Sequence, residues 1–180
     1  MPVVVENSTQ IQGVTLVRFQ KFGDSRGYFY ESWRKSWMPG VKDMVQGNCS
    51  FSQAGVLRGL HYHLKQADFW GVPAGKVRAA LYDFRPGSPT KGKTMVVEMG
   101  RENPVGLYIP RGVAHGFYAV EESYMTYLVD EYYDGADEKG IRWDDPALGI
   151  DWGLTGKPII SDRDARNPLA SDIPQAEWPR

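Results

Sequence analysis

The chain has 180 residues and a formal net charge of −1, which suits a single domain over residues 1–180 and gives no electrostatic case for binding nucleic acid or an anionic membrane. Its 20 glycines, 12 prolines and 13% aromatic residues are typical of a turn-rich β protein and argue against a helical bundle. The single cysteine, Cys49, excludes an internal disulfide, and together with the lack of a signal-peptide pattern it predicts a cytoplasmic protein.

Alternating polar and apolar residues predict about nine short strands before the C-terminal part of the chain. Gly, Pro, Asp and Ser mark the turns between them, and residues 34–42 are predicted to be a short irregular or helical piece. The predicted strands are residues 11–19, 28–33 and 44–52, the segment that carries His61 and His63, and residues 77–83, 94–99, 107–109, 116–120 and 123–133.

The sequence changes character at Asp134, after which Asp, Pro and Gly are frequent and tryptophans are isolated. We expect short helical turns and loops here, packed over the strands. The predicted fold class is therefore mainly β, a jelly-roll barrel with short C-terminal helices. Such a barrel has an open mouth and a lined cavity, which is a natural site for a small molecule.

Two of the three histidines lie close together in the sequence. His61 and His63 are two residues apart, so on a strand they point to the same face. Asp68 follows, and a turn is predicted at residues 73–75. The third histidine, His115, lies in another turn that leads into a strand, and we expect all three in one pocket. This pattern suits either acid–base chemistry or a metal site.

Residues 44–52 place three polar side chains, Gln46, Asn48 and Ser50, on one face of a strand. Polar groups that face the interior of a barrel need hydrogen-bond partners. Either a bound ligand supplies those partners, or this face is solvated.

Seven segments, in order along the chain, carry a resemblance to a known family. They are F-G-D-S-R-G-Y-F-Y-E (22–31), Q-G-N-C-S-F-S (46–52), G-V-L-R-G-L-H-Y (55–62), D-F-R-P-G-S-P-T-K-G (83–92), I-P-R-G-V-A-H-G-F (109–117), Y-L-V-D-E-Y-Y (127–133) and S-D-R-D (161–164). Over nearly its whole length the chain resembles the dTDP-4-dehydrorhamnose 3,5-epimerases and related nucleotide-sugar epimerases, which are cupin-type jelly rolls.

The resemblance implies an isomerase that removes a proton next to the C4 ketone of a nucleoside-diphospho 4-keto-6-deoxy sugar and returns one to the other face, at C3, C5 or both. No redox cofactor is required. The resemblance implies His61 as base, Asp164 as the residue that orients it and Tyr127 as acid. It also implies substrate-binding residues, with Arg58 and Arg26 on the diphosphate, Glu31, Gln46 and Asn48 on the nucleotide and its phosphates, and Tyr133 and His115 elsewhere in the cavity.

The chain departs from the family pattern at two positions. His63 stands where the family usually has glutamine, and Asp68 falls where it has a lysine that helps to hold the keto oxygen. A carboxylate there would repel an enolate. The same residues resemble the metal motifs of the wider cupin superfamily, which implies a possible divalent-metal set of His61, His63, Asp68 and His115. Alternatively, Asp68 pairs with His63 or His115 and no metal binds.

Three functions are therefore carried forward. The first is a metal-independent nucleotide-sugar epimerase, whose partner is its substrate and whose family is homodimeric. The second is a metal-dependent cupin isomerase or oxygenase that uses the metal set above. The third is a non-catalytic relative that binds a sugar nucleotide. The identity of the nucleotide and the sugar stays open.

Overall fold

Two large β-sheets, of six and five strands, form the body of the protein in a computed structural model that describes residues 3–179. The strands are β1 (Val4–Asn7), β2 (Thr15–Arg18), β3 (Phe22–Asp24), β4 (Gly27–Phe29), β5 (Gln46–Ser52), β6 (Leu57–His63), β7 (Asp68–Ala74), β8 (Lys76–Asp83), β9 (Thr94–Gly100), β10 (Val105–Ile109), β11 (Val113–Ala119), β12 (Ser123–Val129) and β13 (Glu138–Gly140). One α-helix, α1 (Asp162–Ala165), and four 3₁₀ turns (Lys35–Trp37, Pro146–Leu148, Ala170–Asp172 and Gln175–Glu177) complete the regular structure of the described residues.

Non-sequential antiparallel pairing gives these sheets a jelly-roll topology, as predicted. The larger sheet has the order β1-β2-β10-β7-β12-β5, and the other has the order β13-β6-β11-β8-β9. The hairpin of β3 and β4 forms a separate two-stranded sheet. The strands that carry His61 and Tyr127, β6 and β12, therefore belong to different sheets, so these side chains can face each other across the barrel.

Two apolar cores hold the barrel and its cover together. The first lies between the two sheets and contains Trp70, Leu81, Leu107 and Phe117 among its buried members. The second lies on the outer side of the five-stranded sheet, where the C-terminal segment packs Ile141, Leu148, Trp152 and Ile173 against Leu60 and Tyr62 of β6 and their neighbours. Since every one of these side chains is at most 6% exposed, both faces of the five-stranded sheet are removed from water.

The predicted turn at residues 73–75 is wrong in extent. Strand β7, which the alternation pattern missed, runs through Pro73 to Ala74, and only Gly75 separates it from β8. Gly75 has φ +80°, and a Cβ there would lie 2.1 Å from the carbonyl oxygen of Glu122. Only glycine fits so tight a connection.

The N-terminal half of the chain also differs from its predictions. The first predicted strand, residues 11–19, is shorter and is preceded by β1, which pairs with it. The strand predicted for residues 28–33 ends at Phe29, because it is half of the β3–β4 hairpin and has no further partner. The short helical turns predicted after Asp134 are present, together with β13, which was not expected. Among the described residues, no helix has the length and apolar character that crossing a membrane requires.

Candidate active site

A cavity of about 460 Å³ opens between the two large sheets and brings the three histidines together, as expected. The predicted polar face of β5 is confirmed, because Gln46, Asn48 and Ser50 all line this cavity. The other predicted site residues on its wall are Arg58 and His61 from β6, His115 from β11, Tyr127 from β12 and Tyr133 after it. Side chains that lie far apart in the sequence therefore form one wall.

His61 is held by a carboxylate from the C-terminal segment. Its Nε2 lies 2.7 Å from Oδ1 of Asp164, in α1. Since a carboxylate accepts, Nε2 carries a proton and Nδ1 is left to act as a base when the ring is neutral. Burial by itself raises the pKa of Asp164. Hydrogen bonds from His61, Gly59 and Ser161, together with the charge of His61, outweigh that effect, so the pKa of Asp164 lies below its usual value.

A glycine bulge in β6 explains how Arg58 and His61, three residues apart, both reach the cavity. The pairing of β6 with β11 shifts register between His115 and Phe117, which marks an irregularity opposite Gly59. Gly59 has φ +110°, and a Cβ there would lie 2.8 Å from Cα of Gly116. The backbone N–H of Gly59 donates to Oδ2 of Asp164 at 3.2 Å, so one carboxylate holds both the bulge and His61.

Tyr127 lies on the sheet opposite His61. It pairs with Asn48 of β5 on one side and with Trp70 of β7 on the other, and its side chain lines the cavity. Burial raises the pKa of Tyr127, and the charges of Asp68 and Glu138 raise it further, with a smaller opposing effect from Arg58. Tyr127 therefore stays protonated at neutral pH and has a proton to give.

Arg58 contributes positive charge at the cavity wall. Its guanidinium donates to the Ser52 hydroxyl and to the carbonyl oxygen of Phe51, both at 3.0 Å, which fixes the side chain against β5. A guanidinium fork suits phosphate oxygens, so this position can bind an anionic ligand.

The structure does not bring Arg26 and Glu31 to this cavity. Arg26 lies in the turn of the β3–β4 hairpin and pairs with Asp24 at 2.6 Å in an exposed contact. Glu31 pairs with Arg34 at 2.7 Å. Neither residue lines the cavity.

The floor of the cavity, defined here as His63, Asp68 and His115, is buried. Nδ1 of His115 lies 2.9 Å from the carbonyl oxygen of Val113, and since a carbonyl only accepts, Nδ1 carries the proton. Burial lowers the pKa of His115 to about 4, although the charge of Asp68 acts in the opposite direction. His115 is therefore neutral at pH 7, and its Nε2 bears a lone pair.

Asp68 is oriented by two neutral donors. Its Oδ1 accepts from Nε2 of Gln66 at 2.7 Å and its Oδ2 from Nε1 of Trp70 at 3.1 Å. One ligand atom each of His63, Asp68 and His115 lies within 4.8 Å of the others, a donor set that fits a divalent transition metal. His61 is not part of this cluster, because it is bonded to Asp164. The structure thus brings together three of the four predicted metal ligands.

Glu138, in β13, is a site residue that the sequence did not reveal. Its Oε1 lies 3.5 Å from Nδ1 of His61, and its Oε2 accepts from Arg163 at 2.8 Å and from the Tyr133 hydroxyl at 3.3 Å. Burial alone raises the pKa of Glu138, but Arg163 and the charge of His61 lower it below its usual value. The imidazole of His61 therefore lies between two carboxylates, those of Asp164 and Glu138.

Comparisons with known proteins agree on one family. The family model described as dTDP-4-dehydrorhamnose 3,5-epimerase matches residues 8–172. A curated dTDP-4-dehydrorhamnose 3,5-epimerase from Sinorhizobium fredii is 38% identical over 175 residues, which cover 93% of this chain and 90% of that protein.

Two solved structures, each with a bound ligand, have the same fold as this chain. A dTDP-6-deoxy-D-glucose-3,5-epimerase from Legionella pneumophila, in complex with dTDP-4-keto-L-rhamnose, superposes with a TM-score of 0.94 at 36% identity, covering 99% of this chain and 98% of that one. A 3'-monoepimerase from Streptomyces bikiniensis, in complex with dTDP-quinovose, superposes with a TM-score of 0.86 at 29% identity, covering 92% and 88%.

Proposed function

Because the chain belongs to the dTDP-4-dehydrorhamnose 3,5-epimerase family, we propose that it epimerises a dTDP-linked 4-keto-6-deoxy sugar at C3, C5 or both. One observation carries the proposal for this particular cavity. An imidazole bonded to a carboxylate lies on one sheet, and a protonated phenol lies on the opposite sheet, with both side chains lining the same space. Inversion at carbon requires a base on one face of the sugar and an acid on the other.

In this reaction Nδ1 of His61 removes the proton from a carbon next to the ketone, and the C–H electron pair becomes part of an enolate. Asp164 holds the ring in the tautomer that leaves Nδ1 unprotonated, and the imidazolium that forms is stabilised by Asp164 and Glu138. Tyr127 then donates its proton to the opposite face of the same carbon. Solvent returns a proton to the Tyr127 phenolate and takes one from the His61 imidazolium, so both groups are restored. Electrons and atoms balance without an oxidant or reductant, so we propose that no redox cofactor takes part.

Arg58 binds the diphosphate in this proposal, and Gln46, Asn48 and Tyr133 contact the nucleotide end of the substrate. The support is their common position on the cavity wall, where an arginine and several neutral polar groups lie beside the His61–Tyr127 pair. Binding energy from the nucleotide can then position the sugar for proton transfer.

Proton NMR in D2O tests the function directly. The protein is incubated with dTDP-4-keto-6-deoxyglucose, and the C3 and C5 proton signals are followed over time. Loss of one signal with inversion at that carbon identifies a monoepimerase, and loss of both signals with inversion at both carbons identifies a double epimerase. If neither position exchanges with this sugar or with its C2 and C3 variants while dTDP still binds, the protein is a non-catalytic sugar-nucleotide-binding relative.

Metal removal separates this proposal from the metal-dependent alternative. We expect protein treated with a chelator, and shown by elemental analysis to hold no transition metal, to keep its full rate of deuterium exchange, because every proposed proton transfer uses His61 or Tyr127. A His63→Ala variant, tested in the same way, shows whether this histidine contributes to the rate of deuterium exchange. A rate that collapses on chelation and is restored by one divalent metal would instead favour a metal bound by His63, Asp68 and His115.

We also propose that the protein is a homodimer. The edge strand β1 exposes Val4 and Val5, and the β3–β4 hairpin exposes Phe22, Tyr28 and Phe29. Exposed apolar side chains and a sheet edge are features that a second subunit can cover. In a dimer the hairpin and the residues after it can carry Arg26 and Glu31 to a nucleotide bound in the neighbouring subunit.

Light scattering tests the assembly. We expect twice the mass of the 20.3 kDa chain, and we expect a Tyr28→Ser/Phe29→Ser double variant to shift toward the monomer. A native protein that is monomeric at micromolar concentration would rule the dimer out. The cytoplasmic location expected from the sequence remains a prediction.

A further inference from the structure

The cavity floor of His63, Asp68 and His115 presents acceptors to the space above it. Nε2 of His115 carries a lone pair, because Nδ1 donates to Val113, and it faces Oδ2 of Asp68 at 3.7 Å. That separation is too long for a hydrogen bond, and no hydrogen bond between these two atoms is present in the described residues. Two buried acceptors therefore face each other with no proton shared between them.

The charge of Asp68 lacks the cationic partner that two other buried aspartates have. Asp83 pairs with Arg85 at 2.8 Å, and Asp130 pairs with Arg111 at 2.6 Å. Asp68, which is only 3% exposed, accepts from the neutral Gln66 and Trp70 instead, and its only ion-pair contact in the described part of the chain is the long one to His115. A buried carboxylate that accepts only from neutral groups is stabilised when a ligand supplies an N–H or O–H donor, or a cation.

We propose that this floor is a subsite for a hydrogen-bond-donating substituent of the sugar, a hydroxyl or an ammonium group, and that Asp68 and His115 determine which sugars the enzyme accepts. The inference rests on the proposed function, because it assumes that a nucleotide sugar occupies the cavity. It adds a substrate class, namely sugars that bear such a donor at the ring position that meets the floor.

The subsite also constrains how the sugar is oriented. A ketone oxygen has no proton to donate, and the enolate formed from it is negatively charged, so contact with Asp68 is repulsive in both states. The C4 oxygen therefore points away from the floor, and a neighbouring ring carbon presents its hydroxyl or amine to Asp68 and His115.

Calorimetry with dTDP-linked 6-deoxyhexoses tests the subsite. The ligands carry hydrogen at C4 instead of a ketone, so they cannot form an enolate, offer no donor at C4 and bind without turnover. The series has hydroxyl, amine or hydrogen at C2, and the same three groups at C3. At one of these carbons we expect the hydrogen analogue to bind about 10- to 100-fold more weakly than the better donor, the range for a hydrogen bond to a charged group. Preference for the amine identifies an ammonium site, and preference for the hydroxyl a neutral one.

Variants then show which side chains cause the difference in affinity between the donor and hydrogen analogues. Asp68→Asn and, separately, His115→Phe are expected to reduce this ratio to within about threefold of unity, a residual below 1 kcal/mol, with thermal unfolding used to verify that each variant is folded. Arg58→Ala is the matched control from the same cavity wall. It should weaken every ligand of the series by a similar factor, because all carry the same diphosphate, and leave the ratio intact.

Three outcomes would overturn the inference. If wild-type protein exchanges the sugar protons with D2O yet binds hydroxyl, amine and hydrogen analogues equally, the subsite fails while the proposed function stands. If no dTDP-sugar binds, both fail together. If MnCl2 or ZnCl2 alone binds stoichiometrically and His115→Phe abolishes that binding, the floor is a metal site instead.

Discussion

Replacing His61 with asparagine is expected to lower the rate of deuterium incorporation at the reacting carbon by about 10³- to 10⁴-fold, at the upper end of what a general base contributes. The physical reason is that Nδ1 of His61 is the basic atom of a ring whose Nε2 is held by Asp164, and asparagine has no basic nitrogen to replace it. The measurement is the first-order loss of the C3 and C5 proton signals in D2O at saturating substrate.

The affinity for dTDP and a second variant, Tyr127→Phe, show whether the rate falls because a catalytic group is missing or because the protein is misfolded. The His61→Asn protein should bind dTDP with nearly unchanged affinity, since the nucleotide contacts are assigned to other side chains. Tyr127→Phe should behave differently, because His61 can still exchange the substrate proton with solvent while the acid for the opposite face is missing. We expect that variant to incorporate deuterium but form little epimer. A His61→Asn rate above a tenth of wild type would remove His61 from the role of base.

Replacing Asp83 with asparagine is expected to have the largest effect on stability, a loss of about 3 kcal/mol in the free energy of unfolding at neutral pH. Asp83 is fully buried and accepts from Arg85, Ser88 and Thr90, which together fix the loop after β8. An asparagine amide turns one acceptor into a donor that faces these donors. Chemical denaturation monitored by tryptophan fluorescence measures the change.

Asp83 also makes the free energy of unfolding depend on pH, in a direction that follows from its pKa. Burial by itself raises the pKa of Asp83, but hydrogen bonds from Arg85, Ser88 and Thr90 lower it to about 2, from a reference value of 3.8. A carboxyl whose pKa is lower in the folded state stabilises the protein above the unfolded-state pKa and loses that contribution as pH falls. The gap between wild type and Asp83→Asn should therefore be full above about pH 4 and shrink toward pH 2.

Asp24 provides a matched control for Asp83. It precedes Arg26 by two residues, as Asp83 precedes Arg85, but the pair lies on the exposed hairpin. We expect Asp24→Asn to leave the unfolding midpoint unchanged, because exposed ion pairs contribute little to stability. An equal loss in both variants would show that burial is not what gives the Asp83 pair its effect.

Strand β5 was predicted from its alternation, because its two faces meet different environments. Gln46, Asn48 and Ser50 alternate with exposed residues. Strand β7 was missed because Asp68, Phe69 and Trp70 are buried consecutively, which erases the alternation, and because Pro73 is typical of a turn. Strand β13 is three residues long and exists only through its pairing with β6.

The candidate site was predictable where motif and strand agree. His61, Arg58 and Tyr127 lie in recognisable segments, and the structure places all three on one cavity. Glu138 belongs to no such segment, and only tertiary pairing brings it to His61. For Arg26 and Glu31 the motif was present, but Arg26 lies in a hairpin that forms a sheet of its own and Glu31 follows that hairpin, a placement that sequence patterns do not encode.

The hydrogen bond between His61 and Asp164 joins the middle of the chain to a helix beyond the last strand. During synthesis on the ribosome, every strand emerges before Asp164 does, so a nascent barrel has its imidazole but lacks the carboxylate that sets its tautomer. The same late segment covers the outer side of the five-stranded sheet. Catalytic competence and closure of the outer layer therefore arise together, after all the strands of the described chain have been synthesised.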